Sequence, residues 1–565
     1  MIPLTATTCF LIAITFLALA LILLDHLRSK KTTKNVILDG DEHVLPEPPG
    51  PKPWPILGSL HILGRYDVPY KAFADLVRDH DCQVIKLRMG SVPCVVVNGL
   101  ENIREVNVEA VPSASRKGHG TTFTRSWLTW QPANRIKADP PEAFPIHRTL
   151  AFCNWSEVQK TRREMLRAHT FPRAFSTRYN ELNGIIAEEM EFMVNHLNAL
   201  SNQSVHAKPL ILHCCANIFI TYLCSKNFGF EHEGFRNMVE NFDKVFFEVN
   251  QGYAADFLPF LMPLHHRNMA RMAHWSHEIR KFVIKNIISD RVNSWKGVVP
   301  EKDYVDCLVN HVKNETDPPM SWNTALFVME DIIGGHTAIG NLLVKVLGFL
   351  ATRPDVQKLA QEEIDAIGLP NKFVGLQNRG SLPYVEAIIL ETIRIIASPI
   401  VPHVANQDSS IAGYRIKKDT FIFLNNYDLN MSTDLWTSPE KFMPSRFVQN
   451  GRLLKPEHFL PFGGGRRSCM GYKLVQYLSF AILATLLKNF TITPIPNEDY
   501  AIPIGNLALP EMTFKFRFER RIVLLFSPSR EPSILVPRTP RGRIKSCDED
   551  EDTRSIVALS DAGHQ

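Results

Sequence analysis

Two periods organise the apolar positions of this chain. From residue 56 to about 526 the helical period dominates, with a smaller share of strand patterning. Residues 83–97 alternate apolar and polar side chains around Met89-Gly90-Ser91, which predicts a β-hairpin turning at that triplet. Helical spacing predicts helices over 155–169, 179–200, 235–250 and 382–396, and a very long apolar one over 322–350. Residues 420–425 are rich in β-formers, and 472–487 form a further apolar helix. No internal repeat is visible. The predicted fold class is mainly α with minor β sheets.

The two ends break this pattern. Residues 1–24 carry no charged side chain, and 10–24 are almost wholly apolar. About 20 apolar residues cross a bilayer, so 1–24 reads as an N-terminal transmembrane anchor. Arg28, Lys30, Lys31 and Lys34 follow at once, which places the remainder in the cytosol by the positive-inside rule. A cleaved signal peptide fits less well, because the basic cluster follows the apolar run and no clean cleavage site does. Residues 25–55 are a basic linker leading into Pro46-Glu47-Pro48-Pro49-Gly50-Pro51-Lys52-Pro53-Trp54-Pro55, a stiff, extended run. Residues 527–565 hold the acidic run Asp548-Glu549-Asp550-Glu551-Asp552 and little core-forming pattern, so they read as a disordered tail.

Composition narrows the class. The chain has 565 residues, 45% hydrophobic and 21% charged. That length allows roughly three or four domains, but no second core or Ser/Gly-rich linker appears, so 56–526 reads as one catalytic domain. A net charge of +5 is too mild for the basic stripe of a nucleic-acid binder. The ten cysteines are scattered without a C-x-x-C pair, which suits free thiols in a reducing compartment.

One short run carries the chemistry: Phe462-Gly463-Gly464-Gly465-Arg466-Arg467-Ser468-Cys469-Met470-Gly471, or F-x-x-G-x-R-x-C-x-G. Gly465 and its neighbours allow a tight loop whose amides can point at one sulfur. A Cys469 thiolate so held, as the single soft ligand of a haem iron, donates electron density that favours O–O cleavage. Arg467 offers a planar guanidinium suited to a haem propionate. The following helix turns its N-terminus toward the thiolate. The alternative is a buried structural cysteine beside a glycine turn.

At this motif the chain resembles the cytochrome P-450 superfamily of haem-thiolate monooxygenases, over roughly residues 48–526. The resemblance implies that fold in a single catalytic domain behind an N-terminal membrane helix. It implies haem b with Cys469 as axial ligand, Phe462, Gly465 and Gly471 beside the haem, and electrons from NADPH. These would arrive through a flavoprotein NADPH–cytochrome reductase, with cytochrome b5 as a possible second donor. Glu391 and Arg394 match the family's E-x-x-R, and Arg446 its P-x-R-F, as a structural lock behind the haem. In Gly334-Gly335-His336-Thr337, Thr337 takes the place of a threonine near dioxygen, and His336 takes the place of an acid. His336 is either a proton relay or a satisfied core histidine. Trp155 and His403 match propionate-contacting positions; the arginine expected at 159 is Gln159, and Arg162 or Arg163 could substitute. Arg162, Arg163, Arg167, Arg466 and Lys473 would form a basic face steering an acidic electron donor.

Residues 398–401 and 502–509 would line the pocket with the long helix, and their apolar character points to a sterol or fatty acid. Residues 112–147 are polar and irregular, unusually long for a connection, and read either as a pocket lid or as a faulty gene model. Longer stretches, including 154–165, 332–336 and 391–410, are similar to the insect Spook/Spookier group among the Halloween cytochromes. That resemblance implies oxidation of a sterol, 7-dehydrocholesterol or a close product, early in ecdysteroid synthesis at the endoplasmic reticulum membrane. The rivals are a broad detoxification monooxygenase, a haem-thiolate isomerase or peroxide-using enzyme, and a membrane-anchored binding protein.

Overall fold

The computed structural model describes residues 45–66, 68–108, 155–201, 203–297, 300–399 and 401–522. The expected anchor, the 112–147 segment and the acidic tail lie outside the described residues. The core is helical. It is built from α1 (Pro69–His80), α2 (Leu100–Val108), α3 (Glu157–Thr170), α4 (Thr177–Ala199), α5 (Ala207–Cys224), α6 (Glu233–Val249) and α7 (His266–Val283). It continues through α8 (Tyr304–Lys313), α9 (Trp322–Ile333), α10 (Gly335–Ala351), α11 (Pro354–Ala366), α12 (Pro383–Ile396) and α13 (Tyr472–Asn489).

Four small sheets accompany these helices among the described residues, the two largest of four and three strands. In the first, β1 (Val84–Met89) pairs antiparallel with β2 (Val92–Val97), turning at Gly90 with φ 59°. A later strand, Phe421–Leu424, pairs parallel with β2, and His403–Val404 pairs antiparallel with Phe421–Leu424. The second sheet joins Phe490–Pro494, Lys515–Arg520 and Val205–His206, all antiparallel. The Pro-rich run is laid along β1: the Pro49 carbonyl accepts from Lys86 N at 2.7 Å, and a side chain at Gly50 would meet Lys86 O.

The mainly helical architecture agrees with the patterning, and the expected elements appear within a few residues. Two differences are instructive. Trp155 does not open α3; it precedes the N-cap Ser156, whose hydroxyl accepts from Gln159 N. The long helix divides at Gly334 into α9 and α10. Helix α5 has no amphipathic stripe to announce it, because it is buried nearly all round against α4 and α10. α5 and the α9–α10 stretch are long and apolar enough to cross a membrane, but both are buried core helices.

Candidate active site

The cysteine loop joins the short strand Arg452–Leu453 to α13. Cys469 N–H donates to Phe462 O at 2.9 Å and Ser468 N–H to Gly465 O at 3.2 Å, folding the loop back on itself. Gly465 has φ 59°, and a Cβ there would sit 2.0 Å from Asn107 O at the end of α2. Only glycine meets both demands. Gly471 caps α13, and a Cβ added there would meet open space beside the half-buried Cys469.

Basic and aromatic side chains surround this loop. Arg163 Nη2 donates to Ser468 O at 2.6 Å, and the Arg466 guanidinium lies 5.2 Å from the Trp155 ring centre. Arg167 stands over Phe171, whose ring meets Tyr472 edge-on, and Phe462 lies 5.9 Å from Tyr472. Arg467 is buried. Arg162 is buried as well, so it does not share in the exposed basic face; its side chain turns inward with Gln159. His403 is a buried strand residue rather than a surface-loop one.

Behind the loop the structure brings Glu391, Arg394 and Arg446 together. Arg394 donates twice to the Glu391 carboxylate, at 2.7 and 2.8 Å, and Arg446 Nε donates to it at 3.1 Å. Met443 N–H adds a fourth donor at 2.8 Å. Arg394 also reaches Asn430 O at 2.7 Å and stacks on Trp436. Isolated, two fully buried charges would be destabilising; this bidentate geometry with extra carbonyl acceptors offsets the desolvation.

On the long helix, paired glycines loosen the ladder. Thr337 N–H turns to Gly334 O at 3.1 Å, and the Thr337 hydroxyl donates to the same carbonyl at 2.7 Å. His336 Nδ1 lies 2.6 Å from Ile333 O, which fixes Nδ1 as the protonated nitrogen and leaves Nε2 as a lone-pair acceptor. Side chains thus fill the carbonyls that the break exposes. His336 is fully buried edge-on to Phe242, and that burial, with the nearby His213, drives its pKa down to about 4. At neutral pH it is an uncharged imidazole.

Several buried groups escaped sequence reasoning. Glu330 pairs with Arg280 at 2.6 Å, and Lys208 with Asp243 at 2.6 Å. Lys345 is buried too, and its signal was that of a single lysine inside the apolar run Leu342-Leu343-Val344-Lys345-Val346-Leu347.

A helical domain with this cysteine loop, a buried Glu–Arg–Arg lock behind it and a broken long helix defines a haem-thiolate cytochrome. The cytochrome P450 family model matches residues 48–518, and the chain belongs to that family. It is 35% identical over 501 residues to Cytochrome P450 307a1 of Drosophila melanogaster, covering 82% of this chain and 88% of that relative. It is 27% identical over 489 residues to Farnesoate epoxidase of Bombyx mori, covering 84% and 94%. To Cytochrome P450 1A1 of Homo sapiens it is 25% identical over 480 residues, covering 82% and 88%. The protein is therefore a cytochrome P450 monooxygenase, an oxidoreductase of a family that carries haem on a cysteine thiolate and uses redox-partner reductases. The expected superfamily membership, with its insect Halloween likeness, is borne out. The residues fit a haem: Cys469 supplies a soft donor, and the side-chain-free Gly471 leaves clear space next to it.

Proposed function

We propose that this protein oxidises a sterol, 7-dehydrocholesterol or a close product, in an early step of ecdysteroid synthesis. The reading is carried by the likeness of residues 332–336 and 391–410 to the Spook/Spookier group. The 35% identity to the Drosophila cytochrome across most of both chains supports it. The apolar stretches 398–401 and 502–509 suit a rigid, hydrophobic substrate. In this reading 1–24 anchor the chain in the endoplasmic reticulum membrane, 25–55 lead out of it, 56–526 form the cytosolic catalytic domain, and 527–565 are a tail.

Cys469 is the proposed axial ligand, with Phe462, Gly465 and Gly471 shaping the haem face and Arg467, Trp155 and His403 holding its propionates. The haem, when bound, supplies dioxygen activation. The protein's own part is positioning and proton handling. Thr337 holds a hydroxyl proton on Gly334 O in the ground state. His336 offers an acceptor at Nε2 in place of a carboxylate. Glu391, Arg394 and Arg446 keep the loop's backing rigid. Around the loop, the exposed Arg167 and Arg466 with the half-buried Arg163 and Lys473 suit an acidic partner such as NADPH–cytochrome reductase or cytochrome b5.

A second reading, a haem-thiolate isomerase or peroxide-using enzyme, is favoured by one observation. His336 is uncharged at neutral pH and tied to Ile333 O, so it supplies no acid. Microsomes holding the protein and its reductase, given 7-dehydrocholesterol and NADPH and read by mass spectrometry, separate the two. A new oxidised sterol that requires NADPH supports the first reading. Turnover without reductase supports the second, and absence of any sterol product defeats the first.

A further inference from the structure

We propose that a buried polar lock, Lys208–Asp243–Asn341 with Lys345, pins residues 503–510 against the long helix and so decides which hydrophobic substrates are accepted. The inference rests on the proposed function, in which residues 502–509 line the substrate pocket.

The lock is dense in contacts. Lys208, in the first turn of α5, reaches Asp243 on α6 at 2.6 Å, Leu509 O at 2.7 Å and Pro510 O at 3.0 Å. Asn341 on α10 donates to Asp243 at 2.9 Å and to Thr337 O at 2.9 Å, and its Oδ1 accepts from Leu509 N–H at 2.9 Å. One turn further, Lys345 donates to Asn506 O at 2.5 Å and Pro503 O at 3.3 Å. All four residues are buried, none above 4% exposed.

Residues 501–510 belong to no helix or strand, so their backbone groups need partners from elsewhere. The lock provides them. Burial pushes the Lys345 ammonium down to about 7, so an apolar side chain of the same reach would be easier to place there for packing alone. What the lysine adds is a defined position for two carbonyls of the segment. Thr337, Asn341 and Lys345 recur every four residues, forming one stripe on α10 that ties the segment to the turn bearing Thr337. Pro510, at the end of the segment, also borders a cleft of about 260 Å³ that is lined mostly by charged side chains, among them Asp243, Lys244, Glu248 and Arg271.

The test compares haem-loaded, full-length Lys345→Met and the paired Lys208→Met/Asp243→Leu with the unaltered protein. Spectral dissociation constants are measured for 7-dehydrocholesterol and for lauric acid, and amide hydrogen exchange for residues 502–510. The lock predicts that preference for the sterol over lauric acid falls about tenfold. It also predicts faster exchange in 502–510 and an unchanged reduced carbon monoxide band. A merely structural role would shift both constants by one factor, or lower haem content with the preference kept; either result overturns the proposal. If neither variant holds haem, the unaltered protein decides. The Leu509 amide should exchange as slowly as α10, and exchange as fast as the exposed turn at Asn450 and Gly451 overturns the lock. Failure of the unaltered protein to bind 7-dehydrocholesterol defeats the sterol reading and leaves the exchange measurement to judge the lock.

Discussion

The molecule holds two buried polar networks, one around Glu391 and one on the long helix, and they are satisfied in different ways. Behind the cysteine loop, one carboxylate meets two guanidinium groups, and the surplus donors of Arg394 find backbone carbonyls. On the long helix, the counterparts are backbone groups: His336 meets Ile333 O, and Lys345 meets Pro503 O and Asn506 O. The first network sets one carboxylate against two guanidinium groups. The second holds a histidine and a lysine whose charged forms burial disfavours. Rigidity behind the loop therefore comes from ion pairing, whereas on the long-helix side the single Lys208–Asp243 pair stands beside His336 and Lys345, which are held by backbone carbonyls.

Breaking the first network should have the largest effect. Glu391→Ala leaves two buried guanidinium groups without their carboxylate and should cost about 3–5 kcal/mol in urea unfolding, with loss of haem-loaded protein. Survival of the holoprotein at parental stability would remove the contrast between the networks.

The second network should show itself in pH dependence. The folded pKa of His336, about 4, lies below its ordinary 6.5. Below pH 6.5 the unfolded chain takes up a proton that the folded one refuses, so stability falls as pH drops toward 4, by about 3 kcal/mol in total. His336→Leu should make the unfolding profile less steep between those values, with a slope remaining because burial lowers His169 and His213 to about 4 as well. An equally steep profile in the variant would place the acid sensitivity elsewhere.

A smaller loss is expected where the loop meets α2. Gly465→Ala adds a Cβ against Asn107 O at φ 59° and should cost about 1–3 kcal/mol, read as faster haem loss on warming. At the bottom of the scale, Arg78→Ala removes an exposed pair with Asp75 and should leave the unfolding midpoint unchanged.

The sequence showed the first network far better than the second. Glu391 and Arg394 stand three apart amid isoleucines, which suggested burial, and the resemblance to the family's E-x-x-R and P-x-R-F elements supplied Arg446 as their partner. Cys469 was legible because its loop needs glycines at set places. The lock on the long helix unites residues 208, 243, 341, 345 and 503–510, which no local period connects. Helix α5 was hidden for a related reason, since a helix buried on every side has no polar stripe. The break at Gly334 was visible as a pair of glycines, but its repair by the side chains of His336 and Thr337 required coordinates.

The most direct test of the account is the reduced carbon monoxide difference spectrum of the parent protein and its Cys469→Ala variant at equal haem content. The account predicts the band characteristic of thiolate-ligated haem in the parent and its complete loss in the variant. An unchanged band in the variant would contradict Cys469 as the ligand, and with it the site built around the loop.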